Sequence, residues 1–166
     1  MLLLLPQLRA YARFLTRHTH EADDLVQEAV MRALGALAQY QRGTSLRAWM
    51  FTIVRNVFFE QNRRRNTERA ALAQSELAET SEAPPQTGHM DLADLARHLF
   101  ALPPLLREAL VLVGAQGLSY EEAAAICSVP VGTMKARVSR GRGLLARHMD
   151  GQRDEGKPLP GAGSLG

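Results

Sequence analysis

Residues 117–149, GLSYEEAAAICSVPVGTMKARVSRGRGLLARHM, constrain the fold more than any other stretch, because they specify two helices joined by a sharp turn. Ser119, three residues ahead of Glu122, forms a capping box, the local signature of a helix start. The helix that follows, Tyr120 to Cys127, is short and alanine-rich, so a neighbour can pack close against it. Pro130 disfavours helical geometry in the residue before it, and Ser128-Val129-Pro130 therefore ends this helix. In the next one Val131, Met134, Val138 and Leu145 recur at roughly helical spacing on one face. Lys135, Arg137, Arg140, Arg142 and Arg147 crowd the remaining surface, and no acidic residue stands between Ala123 and Met149. A basic helix held by a preceding helix suits the DNA major groove, where phosphates are neutralised and base edges read. The plainer alternative is a solvated basic face.

The rest of the chain is helical in pattern too. Leu8, Tyr11, Ala12 and Leu15 make one apolar stripe. Ala22, Leu25, Val26, Ala29, Ala33, Leu34 and Leu37 make a longer one. Gly43 interrupts, and Thr44 or Ser45 can cap a third helix that turns Leu46, Trp49, Met50, Ile53 and Val57 inward. Periodicity resumes with Leu92, Leu95, Ala96 and Leu99. Pro103-Pro104 then opens a helix whose apolar face is Leu106, Ala109, Leu110 and Val113. No segment alternates as a strand would. The expected architecture is all-α: a helical domain over 1–65, a flexible acidic linker over 66–89, a helix-turn-helix domain over 90–149 and a disordered tail over 150–166.

Composition excludes several classes of function. The lone Cys127 rules out an intramolecular disulfide framework and reads as a small apolar filler of the helix-turn-helix core. Leu2 to Leu5 is too short for a signal peptide, and nothing approaches the ~20 apolar residues of a membrane span, so a cytoplasmic protein with no membrane partner is expected. His18 and His20 have no carboxylate or cysteine cluster around them, so no metal is expected. No Ser/His/Asp set, glycine-rich phosphate loop or paired carboxylates point to catalysis, and no cofactor is called for. The net charge is only +3, yet every basic residue except Lys135 and Lys157 is arginine, the side chain suited to bidentate contact with phosphate and guanine.

Two further surfaces stand out. Asp23, Asp24, Gln27 and Glu28, with Met31, lie on the outward face of the second helix. They either favour the helix dipole alone or form a docking stripe for a basic protein surface. On the third helix Trp49, Phe51, Phe58 and Phe59 interleave with Arg47, Arg55 and Arg63-Arg64-Arg65. Trp49 and Phe58 read as core. Phe51 and Phe59 fall away from the inward face, either covering the far side of a bundle or stacking on unpaired bases at ~1–3 kcal/mol per base. The loop Gln41–Ser45 could hold a base pulled out of the stack.

In this order the segments resemble bacterial RNA polymerase sigma factors of the two-domain extracytoplasmic-function type, over nearly the whole chain from Leu8 to Met149. EADDLVQEAVMRAL (21–34) resembles the part of region 2 that docks on the β′ clamp helices. GTSLRAWMFTIVRNVFFEQNRRR (43–65) resembles the part that melts and reads the −10 element. LPPLLREALVLVGAQGLSYEEAAAICSVPVGTMKARVSRGR (102–142) resembles region 4, which reads the −35 element.

The resemblance implies core polymerase as partner, through the β′ clamp helices and the β flap, with Asp23, Asp24, Gln27, Glu28 and Met31 at the contact. It implies −10 contacts from Gly43, Thr44, Ser45, Arg47, Arg55, Asn56, Phe59, Asn62 and Arg63. It implies −35 contacts from Thr133, Lys135, Arg137, Ser139, Arg140 and Arg142. The chain itself would be no enzyme; it would lend promoter specificity to one. GTSLRAWMFTIVRN is similar to the alphaproteobacterial factors of the general stress response, which implies a small anti-sigma protein as partner and promoters with a GGAAC-like −35 motif.

Two departures from the family pattern are present. Gln61-Asn62 stands where an acidic residue is common. Gly141 and Gly143 interrupt the recognition helix, each at a cost of ~0.8–1 kcal/mol relative to alanine, and suggest that its end frays when free. A free-standing repressor would need a dimer interface that the chain does not display. A sigma-like decoy would tend to lose the basic surfaces that this chain keeps.

Overall fold

A computed structural model describes residues 2–72 and 90–155, with the side chains of 90–92 and 152–155 excepted. Among the described residues every regular element is a helix: α1 (Leu5–Thr16), α2 (Thr19–Gly35), α3 (Leu46–Leu72), α4 (Met90–Ala101), α5 (Pro104–Leu110), α6 (Tyr120–Cys127) and α7 (Val131–Glu155). Single 3₁₀ turns precede α1 and follow α2, and α5 runs on into a π-helical turn, Val111–Ala115.

α1, α2 and α3 pack against one another around Leu8, Tyr11, Ala12, Ala22, Leu25, Val26, Ala29, Ala33, Met50, Phe51, Val54 and Val57. The two stripes foreseen for α1 and α2 are thus inward, except at the C-terminal end of α2. There Leu34 and Leu37 are about half exposed, beside the more exposed Met31. The α3 face is also rotated from expectation. Phe51 is fully buried and packs with its ring 5.0 Å from that of Tyr11, tilted by 33°, whereas Leu46 and Ile53 are only partly buried. Burying such a large side chain is worth roughly 1.5–3 kcal/mol, so Phe51 settles the helix's rotation.

In the second half α5, α6 and α7 enclose Ala109, Leu110, Val111, Leu112, Ala123, Ala124, Ile126, Met134 and Val138. The capping box forms as the spacing requires: Glu122 N donates to Ser119 Oγ at 3.0 Å and Ser119 N to the Glu122 carboxylate at 2.9 Å. Ser128 closes α6 in the left-handed region, at φ 54°. Cys127 is buried, and burial pushes its thiol pKa up to about 12.

Three sequence expectations change. α3 continues to Leu72, so residues 66–72 are helical where the linker was expected to begin; residues 73–89 lie outside the described residues. α7 continues to Glu155, so the tail is helical over 150–155, and 156–166 lie outside. α7 also passes unbroken through Gly141 and Gly143. A Cβ at Gly141 would meet Leu110 Cγ at 3.0 Å and the Leu106 carbonyl oxygen at 3.3 Å, so this glycine lets α5 and α7 approach closely; Gly143 has open space around it.

The two helical domains also touch each other. α3 lies against α6, α1 against the π-helical turn, and the buried side chains of both halves form one cluster.

Candidate nucleic-acid interface

The helix-turn-helix presents α7 outward. Lys135, Ser139, Arg140 and Arg142 are exposed, and among the described residues none of these three basic side chains pairs with a carboxylate. Lys135 lies 5.7 Å from the Tyr120 ring centre, which orients it without neutralising it. Thr133 and Arg137 are half-buried, and Arg137 keeps one buried Nη1 without a partner.

The residues expected at the −10 element divide into two groups. Asn56, Phe59 and Arg63 are exposed and Asn62 is half-buried; Phe59, Asn62 and Arg63 line one open surface of α3. Phe59 is 45% exposed, with the Arg55 guanidinium 4.5 Å above its ring and Phe58 edge-on at 5.3 Å, so it lies at the surface rather than in the core. Before α3, Gly43 (φ 98°) turns the loop, and Thr44 Oγ1 bonds back to the Gln41 carbonyl at 2.7 Å. Ser45 Oγ caps α3 by accepting from Ala48 N at 3.1 Å.

The other group, Ser45, Arg47 and Arg55, faces the second half of the chain. Arg55 Nε donates to Glu108 Oε1 at 2.9 Å, and Tyr11 donates to the same oxygen at 2.8 Å. The Arg55 and Glu108 side chains are only 15% and 7% exposed. Burial works against the charge of Arg55, but the hydrogen bond and charge of Glu108 outweigh it and leave the guanidinium pKa raised. Burial, then Glu108, holds the Tyr11 phenol well above its ordinary range. Arg47 donates to the Gln116 carbonyl, while its Nε is buried without a partner. The Glu122 carboxyl is held below its usual range by the Ser119 backbone N–H and then by the Ser45 hydroxyl.

Sequence reasoning did not single out Glu108 or Tyr11. A usable signal was the Arg107-Glu108 pair inside the apolar run LLREALVLV, since charges in such a run are buried only when paired or hydrogen-bonded. Arg107 is buried, donates to the Phe100 carbonyl at 3.1 Å and packs 5.2 Å from the Phe100 ring centre.

The acidic face of α2 is outward throughout. Asp23, Asp24, Gln27 and Met31 are exposed and Glu28 is half-buried. Arg32 bridges α2 to α3, bonding Glu28 at 2.7 Å and Glu60 at 2.5 Å. His18 and His20 are exposed, and His20 sits 3.1 Å from Asp24.

Comparison with known proteins decides the family. The model described as Sigma-70 region 2 matches residues 2–68, and that described as Sigma-70, region 4 matches residues 93–145. The ECF RNA polymerase sigma factor EcfG of Rhodopseudomonas palustris is 45% identical over 159 residues, covering 94% of this chain and 87% of that one. The chain belongs to the ECF sigma factors of the sigma-70 family. Among solved structures, the sigma factor RpoE in complex with the anti-sigma factor NepR, from Bartonella quintana, aligns with a TM-score of 0.76 at 42% identity, over 90% of this chain and 93% of that one. CnrH, in complex with the cytosolic domain of CnrY, aligns with a TM-score of 0.65 at 27% identity, over 89% and 83%. As a sigma factor the chain is a promoter-recognising initiation factor. Among the described residues no helix is long and apolar enough to cross a membrane.

Proposed function

We propose that this sigma factor binds core RNA polymerase through the outward face of α2, reads the −35 duplex with α7 and engages the melted −10 strand with α3 and its preceding loop. Residues 1–65 and 90–149 serve as the two functional domains. The observation that carries this reading is the division of labour among three helices of one chain: an acidic exposed face on α2, an exposed aromatic beside arginines on α3, and an unpaired basic face on a capped helix-turn-helix. The polymerase contacts are Asp23, Asp24, Gln27, Glu28 and Met31, to which the exposed Leu34 and Leu37 add apolar area. The chain works in the cytoplasm, where its polymerase and promoter are, and performs no catalysis of its own.

The likeness to EcfG and to the RpoE of the NepR complex supports a role in the general stress response, with a small anti-sigma protein as partner. The test is run-off transcription with purified core polymerase on GGAAC-type and unrelated promoters, with and without the protein. Transcripts from the GGAAC-type template alone are expected. No transcript from any template, together with no binding to core, would overturn the reading.

A further inference from the structure

The polar contacts between the two halves share one chemistry. From the first half come donors assigned above to the −10 strand: the Arg55 and Arg47 guanidinium groups. From the second half come oxygen acceptors: the Glu108 carboxylate and the Gln116 carbonyl. A nucleic-acid backbone offers the same donors the same kind of partner, an array of anionic and neutral oxygens. Acceptors from within the chain occupy the donors.

We propose that Glu108 is an internal competitor for Arg55, and that it holds the free sigma factor closed until promoter DNA or polymerase displaces it. This rests on the assignment of Arg55 to the −10 strand. The geometry favours a latch over a permanent joint. Glu108 takes Nε and Nη2 of Arg55, at 2.9 and 3.4 Å, and the hydroxyl of Tyr11, so these bonds to the first half exist only while the halves are together and are exchanged for water when they part. Beside the shared apolar cluster, the contacts around it include polar and aromatic ones: Phe14 stacks on Phe100 at 5.7 Å, and Arg17 reaches the Phe100 carbonyl at 3.5 Å. Polar contacts between domains of one chain are compatible with relative motion. The exposed face of α7 takes no part, so closure occupies Arg55 and Arg47 of the −10 set and leaves the −35 face open.

Glu108→Gln leaves Arg55 buried beside a neutral group, and separating the halves is the way for the guanidinium to regain water. Full-length E108Q should therefore show a larger radius of gyration by small-angle scattering than the unaltered chain, with both proteins melting cooperatively. The binding probe is a fluorescein-labelled single strand carrying the non-template −10 region of a GGAAC-type promoter. If about a tenth of the unaltered chain is open, E108Q should bind it about tenfold more tightly, because apparent affinity scales with the competent fraction. Affinity for the −35 duplex of that promoter should not change, a selectivity that general loosening of the fold would not produce. Glu108→Asp should restore part of the closure. Tyr11→Phe, which removes one bond and no charge, should shift both readouts in the same direction by less, and it keeps the proposal testable if E108Q folds poorly.

Unchanged scattering and unchanged strand affinity in E108Q would overturn the proposal. So would an opened E108Q that binds the strand no more tightly. The double variant E108Q/R55A separates the two assignments. Loss of the gained affinity supports competition for Arg55; full retention overturns that competition and the −10 role of Arg55, and leaves the −35 reading intact.

Discussion

The two surfaces of this sigma factor proposed to meet DNA are built from the same residue types and left in opposite states. On α7, Lys135, Arg140 and Arg142 are exposed and, among the described residues, pair with no carboxylate. On α3, Arg55 is nearly buried on Glu108, and Arg47 is half-buried with one nitrogen unpartnered. Arginine content alone therefore says little about availability. What separates the surfaces is what packs opposite: α5 and the π-helical turn after it bring oxygen acceptors to α3, and among the described residues no carboxylate pairs with Lys135, Arg140 or Arg142.

Several experiments sharpen or break this contrast. The largest expected effect is Phe51→Ala, which empties a fully buried ring position and should lower stability by about 3–5 kcal/mol in a denaturant melt. Phe59→Ala, eight residues along the same helix, should change stability little and instead weaken single-strand binding by ~1–3 kcal/mol, read by fluorescence anisotropy. Equal stability losses for the two would erase the distinction between core and surface. Arg140→Ala should cost about 1–3 kcal/mol in affinity for a −35 duplex if it reads a base, and should also lower the salt dependence of binding.

The glycines of α7 give a smaller contrast. Gly143→Ala should stabilise the fold by ~0.8–1 kcal/mol, the ordinary helical gain. At Gly141 the added methyl meets Leu110 and the Leu106 carbonyl, and overpacking of ~1–3 kcal/mol should reverse the sign. Smallest is an alkaline effect. Cys127 ionises near its ordinary value of 9.0 when unfolded and only at about 12 when folded, so its raised native pKa contributes stability that is complete below pH 9 and lost as pH rises towards 12. Tyr11 adds in the same direction above 10.0. Denaturant melts across this range should show the decline, less steeply in Cys127→Ala.

Much of the local structure was legible in the residues. The capping box at Ser119, the turn at Ser128–Pro130 and the inward Met134 and Val138 follow from spacing that acts within one or two helical turns. The rotation of α3 was not, because Phe51 and Ile53 both fit an apolar face and only their partners on α1 and α2 decide between them. Glu108 was missed for a related reason: its partners Arg55 and Tyr11 lie 53 and 97 residues away, and no local pattern encodes a pairing at that range. The close approach at Gly141 reads in sequence as a helix weakness, and only the neighbouring α5 turns it into a packing requirement.

The bridge made by Arg32 has a mechanical consequence. Surface ion pairs contribute little to stability, about 0–1 kcal/mol, and this one lies at the surface with its side chains partly exposed. Yet Arg32 grips Glu28, on the face assigned to polymerase, and Glu60, one residue beyond Phe59. Sliding the two helices along each other would break that bridge. If α2 anchors to the polymerase as proposed, the bridge ties that contact to the height and pitch at which Phe59 is presented, as a gauge block sets a tool against its work.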